Sequence, residues 1–173
     1  RYMAAYLEQC LKGAIYNTND EGKYVVTLES IVPNLSVLQQ YTPMLKNFWS
    51  EGLFDSMDRR YFKLISRTDQ SENLFSDTFL SRRGTYSAFK SFNSVFGESN
   101  TPSYINKMLY FDLKASLPAL LQVEDRTSMA VSLESRVPLL DHRIVELMAS
   151  VPPTIKFKNG IMKYLFKKSI KNI

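Results

Sequence analysis

Charged side chains that could take part in chemistry concentrate in residues 124–143. This segment holds four carboxylates and three arginines, and no lysine occurs from residue 115 to residue 155. Because a guanidinium can pair with a carboxylate or a phosphate through two parallel hydrogen bonds, the composition predicts a rigid polar network. The alternative interpretation is local: Asp125 and Asp141 each cap a helix, and His142 is exposed in the first turn after Asp141.

A second candidate is Asp112, which lies in a predicted helix. Thr101 as the N-cap and Pro102 at the first helical position predict where this helix begins, and Pro118 is expected to follow its end. Asp112 comes seven residues after Ile105, on the apolar stripe of the helix. A carboxylate at such a position is either a functional group or one half of a structural ion pair.

Lys163 is a third candidate. It follows a turn at residues 156–160 and is expected in the first turn of a helix that begins near Ile161. An ammonium group beside unpaired backbone N–H groups makes an anion site suited to phosphate or pyrophosphate. Lys163 is also simply one of six lysines in residues 156–173, which contain no acid.

The elements that must position these residues are predicted to be helices. The spacing of apolar residues predicts helices over 2–16 and 55–66, and a helical stretch over 33–52. A polar turn is expected at 17–22 and an extended, strand-like connector at 23–28, while 67–73 reads as a surface loop before a short helix. Aromatic residues at helical spacing predict a core-facing stripe, formed by Tyr86, Phe89, Phe92, Val95 and Phe96.

Composition limits the class of protein. The 173 residues, 45% of them hydrophobic and 23% charged, predict one mainly α domain over 1–173, an irregular multi-helix assembly. Charged residues interrupt every apolar run, so no transmembrane span is expected. The single cysteine, Cys10, permits no internal disulfide, and the single histidine argues against a zinc site, so a cytoplasmic protein without a resident metal is expected.

The net charge of +5 belongs to the terminal segment, because residues 1–155 carry 16 basic and 17 acidic groups. Such a basic run most often forms a solvated helix face. It leaves open a helical interaction module or a nucleic-acid-binding module, whose binding would weaken steeply with salt.

Three segments nevertheless resemble a known family. Residues 124–143 resemble the D-R-x-S-M-A-x-S-L-E-x-R-x-P-L-L-D-H-R signature of glutamine-dependent asparagine synthetases. Residues 160–165 are similar to the family's G-x-x-K-[YWH]-L element, and residues 110–118 to the segment before the signature. The similarity is strong over 110–168 and looser over 1–109.

The resemblance implies a fold and an activity. It identifies the chain as the helical C-terminal part of an ATP-pyrophosphatase synthetase domain, without the parallel-sheet half that binds the nucleotide. In this family ATP, with Mg²⁺, activates aspartate as β-aspartyl-AMP, pyrophosphate leaves, and ammonia from glutamine gives asparagine and AMP. Lys163 matches the family lysine that contacts the phosphates and is the candidate catalytic residue, and Asp112, Asp125 and Arg126 join it as candidate nucleotide-binding residues.

The same resemblance sets the expected partners and the alternatives. The partners are aspartate, ammonia, ATP and the remaining part of the same chain, with a homodimer as a further option; no membrane is expected. A related enzyme that adenylates another carboxylate, of the β-lactam synthetase or peptide-cyclase type, is the alternative within the superfamily. A family member kept as an inactive scaffold is a third interpretation.

Because the family's S-G-G-x-D-S loop and its N-terminal cysteine have no counterpart here, we expect the 173 residues alone to make no asparagine and to hydrolyse no glutamine. Incubation of the purified chain with ATP, Mg²⁺, aspartate and ammonia or glutamine, followed by amino-acid analysis, measures this. Formation of asparagine would contradict the expectation.

Overall fold

The computed structural model shows a mainly helical protein. It describes eight residues between Tyr2 and Ser50, then residues 56–66, 74–156, 158 and 161–171. This described part contains no β-strand, and none of its helices is long and apolar enough to cross a membrane. The predicted turn at 17–22, connector at 23–28 and loop at 67–73 lie outside it. The helices predicted over 2–16 and 33–52 are described only at those eight residues.

The described helices follow one another through short connections. In chain order they are α1 (Met57–Ile65), α2 (Asp77–Arg82), α3 (Ala88–Phe96), α4 (Tyr104–Phe111), α5 (Leu117–Met129), α6 (His142–Ser150), α7 (Pro153–Lys156) and α8 (Tyr164–Ser169). A π-helical turn, Asp112–Ser116, joins α4 to α5, and a 3₁₀ turn, Pro138–Leu140, precedes α6. The helix predicted over 55–66 is confirmed as α1, and the short helix predicted after residue 73 is α2.

Serine side chains cap three successive helices. The caps of α2, α3 and α4 each accept a hydrogen bond from the backbone N–H three residues later, and they are Ser76, Ser87 and Ser103. The prediction that Thr101 caps α4 is therefore wrong. The Thr101 hydroxyl instead accepts a hydrogen bond from the N–H of Ser103, at 3.2 Å, and so orders the turn before the helix. Two potential caps two residues apart compete, and the serine takes the role.

Pro118 does not end the helical run, contrary to the prediction. It is the second residue of α5, directly after the π-helical turn. The π-helical turn makes this possible: the N–H of Leu117 bonds to the carbonyl of Asp112, one residue further back than in an α-helix. The wider turn relieves the clash that a proline ring has with the carbonyl four residues earlier.

The described core is largely aromatic and lies where α1, α3 and α4 meet. Phe92 is buried at its centre, with ring centroids 4.8 Å from Phe111 and 5.0 Å from Phe96. Tyr61 of α1 contacts the same three rings at 5.6–6.0 Å. The predicted aromatic stripe is confirmed at Phe92 and Phe96 and is wrong at Tyr86, which precedes α3 and is 62% exposed.

A buried ion pair ties the first residues of the chain to α1. Both nitrogens of the Arg60 guanidinium fork donate to the two carboxylate oxygens of Glu8, and both side chains are almost fully buried. Removing one partner of such a pair leaves an uncompensated charge, which is strongly destabilising. The pair therefore fixes Glu8 against α1.

Asp141 caps α6, as predicted, and His142 is exposed in the first turn. The Asp141 carboxylate accepts from the backbone N–H of Arg143 and forms an ion pair with its guanidinium at 2.8 Å. The hydrogen bond from the Arg143 side chain is the main reason why the pKa of Asp141 lies below its usual value. The folded state therefore favours the ionised carboxylate.

Replacing Phe92 by alanine should lower the free energy of unfolding by about 3–5 kcal/mol, because a cavity opens among packed rings. The matched control is Phe79→Ala, since Phe79 is 50% exposed and stacks on Phe75 alone among the described rings. It should cost about 1 kcal/mol or less. Equal losses in chemical denaturation would contradict the described core.

Asp141→Asn should lower the melting temperature at pH 7, because asparagine can cap the helix but cannot pair ionically with Arg143. A depressed pKa stabilises the fold above the unfolded pKa of about 3.9 and ceases to do so as pH falls through the folded pKa. The difference in melting temperature between the variant and wild type should thus be constant from pH 8 to about pH 5 and shrink below about pH 4. Glu146→Gln in α6 is the control, and a difference that grows on acidification would refute the assignment.

Candidate functional site

Asp112 lies at the first position of the π-helical turn and is half-buried against the core. Its Oδ1 accepts hydrogen bonds from the hydroxyl of Tyr61 at 3.1 Å and from that of Ser116 at 3.0 Å. The Tyr2 hydroxyl donates to Oδ2. The described partners of this carboxylate thus include three hydroxyl groups, from three different parts of the chain.

This arrangement could be foreseen only in part. The position of Asp112 on an apolar stripe correctly indicated a carboxylate that needs partners. Ser116 is four residues later and within reach on the same helical face, so its role could have been read from the sequence. Tyr2 and Tyr61 are separated from Asp112 by 110 and 51 residues, and no local pattern announces them.

Asp125 and Arg126 lie in the second half of α5, and both side chains are exposed. The interpretation of Asp125 as a helix cap is wrong, because α5 continues to Met129. Arg126 falls in the last turn, where a cation is favoured by the helix dipole. No ion pair involves either residue within the described part of the chain.

The predicted arginine network is not formed by the described residues. Arg136 pairs with Glu134 at 2.8 Å, but both side chains are largely exposed and the residues are two apart. Arg143 pairs in the same local way with Asp141. Exposed arginines gain little from distant partners, since water competes for both charges. The segment therefore presents its cations to solvent rather than locking them together.

Two non-glycine residues in the described part of the chain have left-handed backbone conformations. Ser132, with φ 57°, follows α5, and the N–H of Leu133 bonds to the carbonyl of Ser128 at 3.0 Å. This closes the helix in a Schellman motif, in which glycine is usual at the position of Ser132. Lys163 is the second residue, with φ 57° and ψ 32°.

Lys163 is the N-cap of α8 rather than a residue of its first turn, because the helix begins at Tyr164 and not near Ile161. Its carbonyl accepts the first helical hydrogen bond, from the N–H of Lys167 at 2.9 Å. The Lys163 side chain is exposed. The left-handed turn at this residue delays the helix that the sequence predicted, and the ammonium stays at the helix start.

The other described lysines of the basic segment are exposed, except Lys156. Lys156 is half-buried and donates to the Asn106 Oδ1 at 3.2 Å, which ties α7 to α4. Burial lowers its pKa. Lys158 lies over the Tyr164 ring at 5.6 Å. These contacts fit the interpretation of the segment as a mostly solvated face.

The structure joins Asp112 to hydroxyl donors but records no contact between Lys163 and Asp125 or Arg126 within its described residues. The two cations, Lys163 and Arg126, are accessible to an anionic ligand. Among the described residues no group of three or more His, Cys, Asp or Glu could hold a metal ion.

Comparison with known proteins extends the sequence resemblance. The chain is 40% identical over 81 residues to asparagine synthetase (glutamine-hydrolysing) 1 of Bacillus subtilis, which covers 46% of this chain and 13% of the relative. It is 32% identical over 77 residues to asparagine synthetase 3 of the same organism, covering 44% and 12%. The Gallus gallus asparagine synthetase is 47% identical over 49 residues, covering 28% and 9%. The matched segments thus span a small part of these relatives.

No solved structure matches the chain. The family model of asparagine synthase matches residues 25–173, which include Asp112, both motifs and Lys163. This match confirms the resemblance and extends it well upstream of residue 110. The chain therefore belongs to the asparagine synthase family.

Proposed function

We propose that residues 1–173 form the helical C-terminal part of the synthetase domain in a glutamine-dependent asparagine synthetase, a carbon–nitrogen ligase. In the whole protein, ATP would activate the side-chain carboxylate of aspartate, and ammonia released from glutamine would replace AMP to give asparagine. Pyrophosphate would leave in the first step. The family match over residues 25–173 supports the proposal.

The observation that links the structure to this activity is where its backbone outliers fall. Both left-handed non-glycine residues of the described chain, Ser132 and Lys163, lie inside the two motifs that carry the family resemblance. Such conformations cost about 1–3 kcal/mol each and persist where function or packing requires them. The helix end that Ser132 forms accounts for its conformation, so the outlier that supports a functional role is Lys163.

The accessible charges fit a triphosphate. Lys163 and Arg126 present an ammonium and a guanidinium that are exposed, and phosphate oxygens are the preferred partners of both groups. Because α8 has six residues, we assign the role of Lys163 to its ammonium rather than to the helix dipole. The ammonium would neutralise charge that develops on the departing pyrophosphate, which is electrostatic transition-state stabilisation.

Asp125 lies beside Arg126 in α5, and we assign it to the same nucleotide-facing segment. Asp112 belongs to the site as the first residue of the π-helical turn that leads into that helix. Mg²⁺ would arrive with the ATP of the whole protein.

A test of the whole assignment is to supply the natural protein that contains these residues with ATP, Mg²⁺, aspartate and glutamine, and to measure asparagine, AMP and pyrophosphate. Equimolar products are expected, and turnover of a different carboxylate in place of aspartate would favour the related adenylating enzymes.

In that protein, Lys163→Ala should lower kcat for pyrophosphate release by about 10²–10³, the usual effect of removing one preorganised charge from a transition state. Lys163→Arg should recover part of the rate, because it keeps the positive charge. Steady-state assays with saturating aspartate measure both.

Two controls separate the ammonium from the backbone. Lys167→Ala removes another exposed lysine, from within α8, and should leave the rate unchanged. Lys163→Gly keeps the left-handed turn without strain but lacks the ammonium, so it should be as slow as Lys163→Ala. A Lys163→Ala rate within about threefold of wild type would remove Lys163 from the proposed chemistry.

A further inference from the structure

The π-helical turn has a measurable effect on the direction of side chains in α5. Each residue of an α-helix advances by about 100°, since 3.6 residues complete one turn. Arg126 is 21 residues after the buried Ile105, so an unbroken helix would bring it to within about 60° of the Ile105 direction. Arg126 would then point toward the side of the core.

One π-helical turn accommodates one extra residue and turns everything after it back by about 100°. With this correction Arg126 lies about 160° from Ile105, on the solvent side, where it is exposed. The half-buried residues of α5 provide an independent check of this rotation; they are Leu117, Leu121 and Ser128. With the rotation, their directions lie about 20–60° from that of Ile105, and without it about 120–160°.

The turn that produces this rotation is held by Asp112. Its carboxylate accepts a hydrogen bond from Ser116 across the turn and another from Tyr61, whose ring is completely buried in the aromatic core. The Tyr2 hydroxyl binds the other carboxylate oxygen. Hydrogen bonds to an ionised carboxylate are about twice as strong as those between neutral groups. The start of the turn is therefore anchored to the rigid part of the fold.

We propose that Asp112 is a positioning residue: it fixes the π-helical turn that rotates α5 and thereby presents Asp125 and Arg126 to the nucleotide. This inference rests on the proposed function for its ligand. The sequence resemblance proposes Asp112 as a residue that binds the nucleotide directly. The hydroxyl donors give Asp112 a different task, because they bind it to the core and to its own turn.

The test uses the natural protein, with Asp112→Ala, Asp112→Asn and Tyr61→Phe as variants. Tyr61→Phe keeps the buried ring and removes only the hydroxyl that reaches Asp112. Hydrogen exchange should be faster over residues 113–129 in Asp112→Ala, while α6 is unchanged. KM for ATP should rise about tenfold, the equivalent of one charged hydrogen bond, with a smaller change in kcat.

Tyr61→Phe should change KM and hydrogen exchange in the same direction, by about threefold or more. The double variant Asp112→Ala/Tyr61→Phe should have the same KM as Asp112→Ala, because both changes remove the same hydrogen bond between Tyr61 and Asp112. Asp112→Asn should recover part of the affinity, since its amide oxygen still accepts from a hydroxyl.

Three outcomes would overturn the proposal. A raised KM in Asp112→Ala with unchanged hydrogen exchange, and no effect of Tyr61→Phe, would make Asp112 a direct ligand. Faster exchange with an unchanged KM would make it purely structural. Unchanged exchange with unchanged KM would remove it from both roles. If wild type forms no pyrophosphate from ATP and aspartate, the proposed function fails, while the exchange measurement still decides whether Asp112 fixes the turn.

Discussion

The hydroxyl-bound carboxylate of Asp112 is the constraint on which the described structure depends. It joins the N-terminal segment through Tyr2, the buried core through Tyr61, and the π-helical turn through Ser116. A half-buried carboxylate loses hydration, and this cost must be offset by hydrogen-bond donors. The fold therefore has to supply donors to Asp112. Ser116 belongs to the same turn, whereas the chain must bring Tyr2 and Tyr61 to the carboxylate from distant positions.

The remaining architecture is divided by the way in which its elements are stabilised. On the N-terminal side of the turn, rings from α1, α3 and α4 pack around Phe92, and the buried ion pair with Arg60 fixes Glu8 against α1. On the C-terminal side, helices depend on local devices such as the Asp141 cap and the Schellman motif at Ser132. The family signature lies on this second side, with most of its side chains exposed.

Sequence reasoning succeeded where one local interaction decides the structure. The cap at Asp141 and the core position of Phe92 follow from chemistry within a few residues, and both are confirmed. Prediction from the sequence failed where two nearby residues compete to cap a helix, or where a π-helical turn changes the hydrogen-bond pattern of the backbone. Ser103 displaces Thr101 as the cap, and the π-helical turn carries the helix past Pro118. The donors to Asp112 could not be foreseen, because they depend on contacts across 51 and 110 residues.

The proposed function requires one chemical step, the activation of aspartate by ATP in the whole protein. The most direct measurement is the aspartate-dependent exchange of labelled pyrophosphate into ATP by the natural protein, without glutamine or ammonia. This exchange reports carboxylate activation alone, independently of the ammonia source and of the final amide. We expect exchange that requires both Mg²⁺ and aspartate. Exchange that does not depend on aspartate, or none in a folded protein that binds ATP, would contradict it.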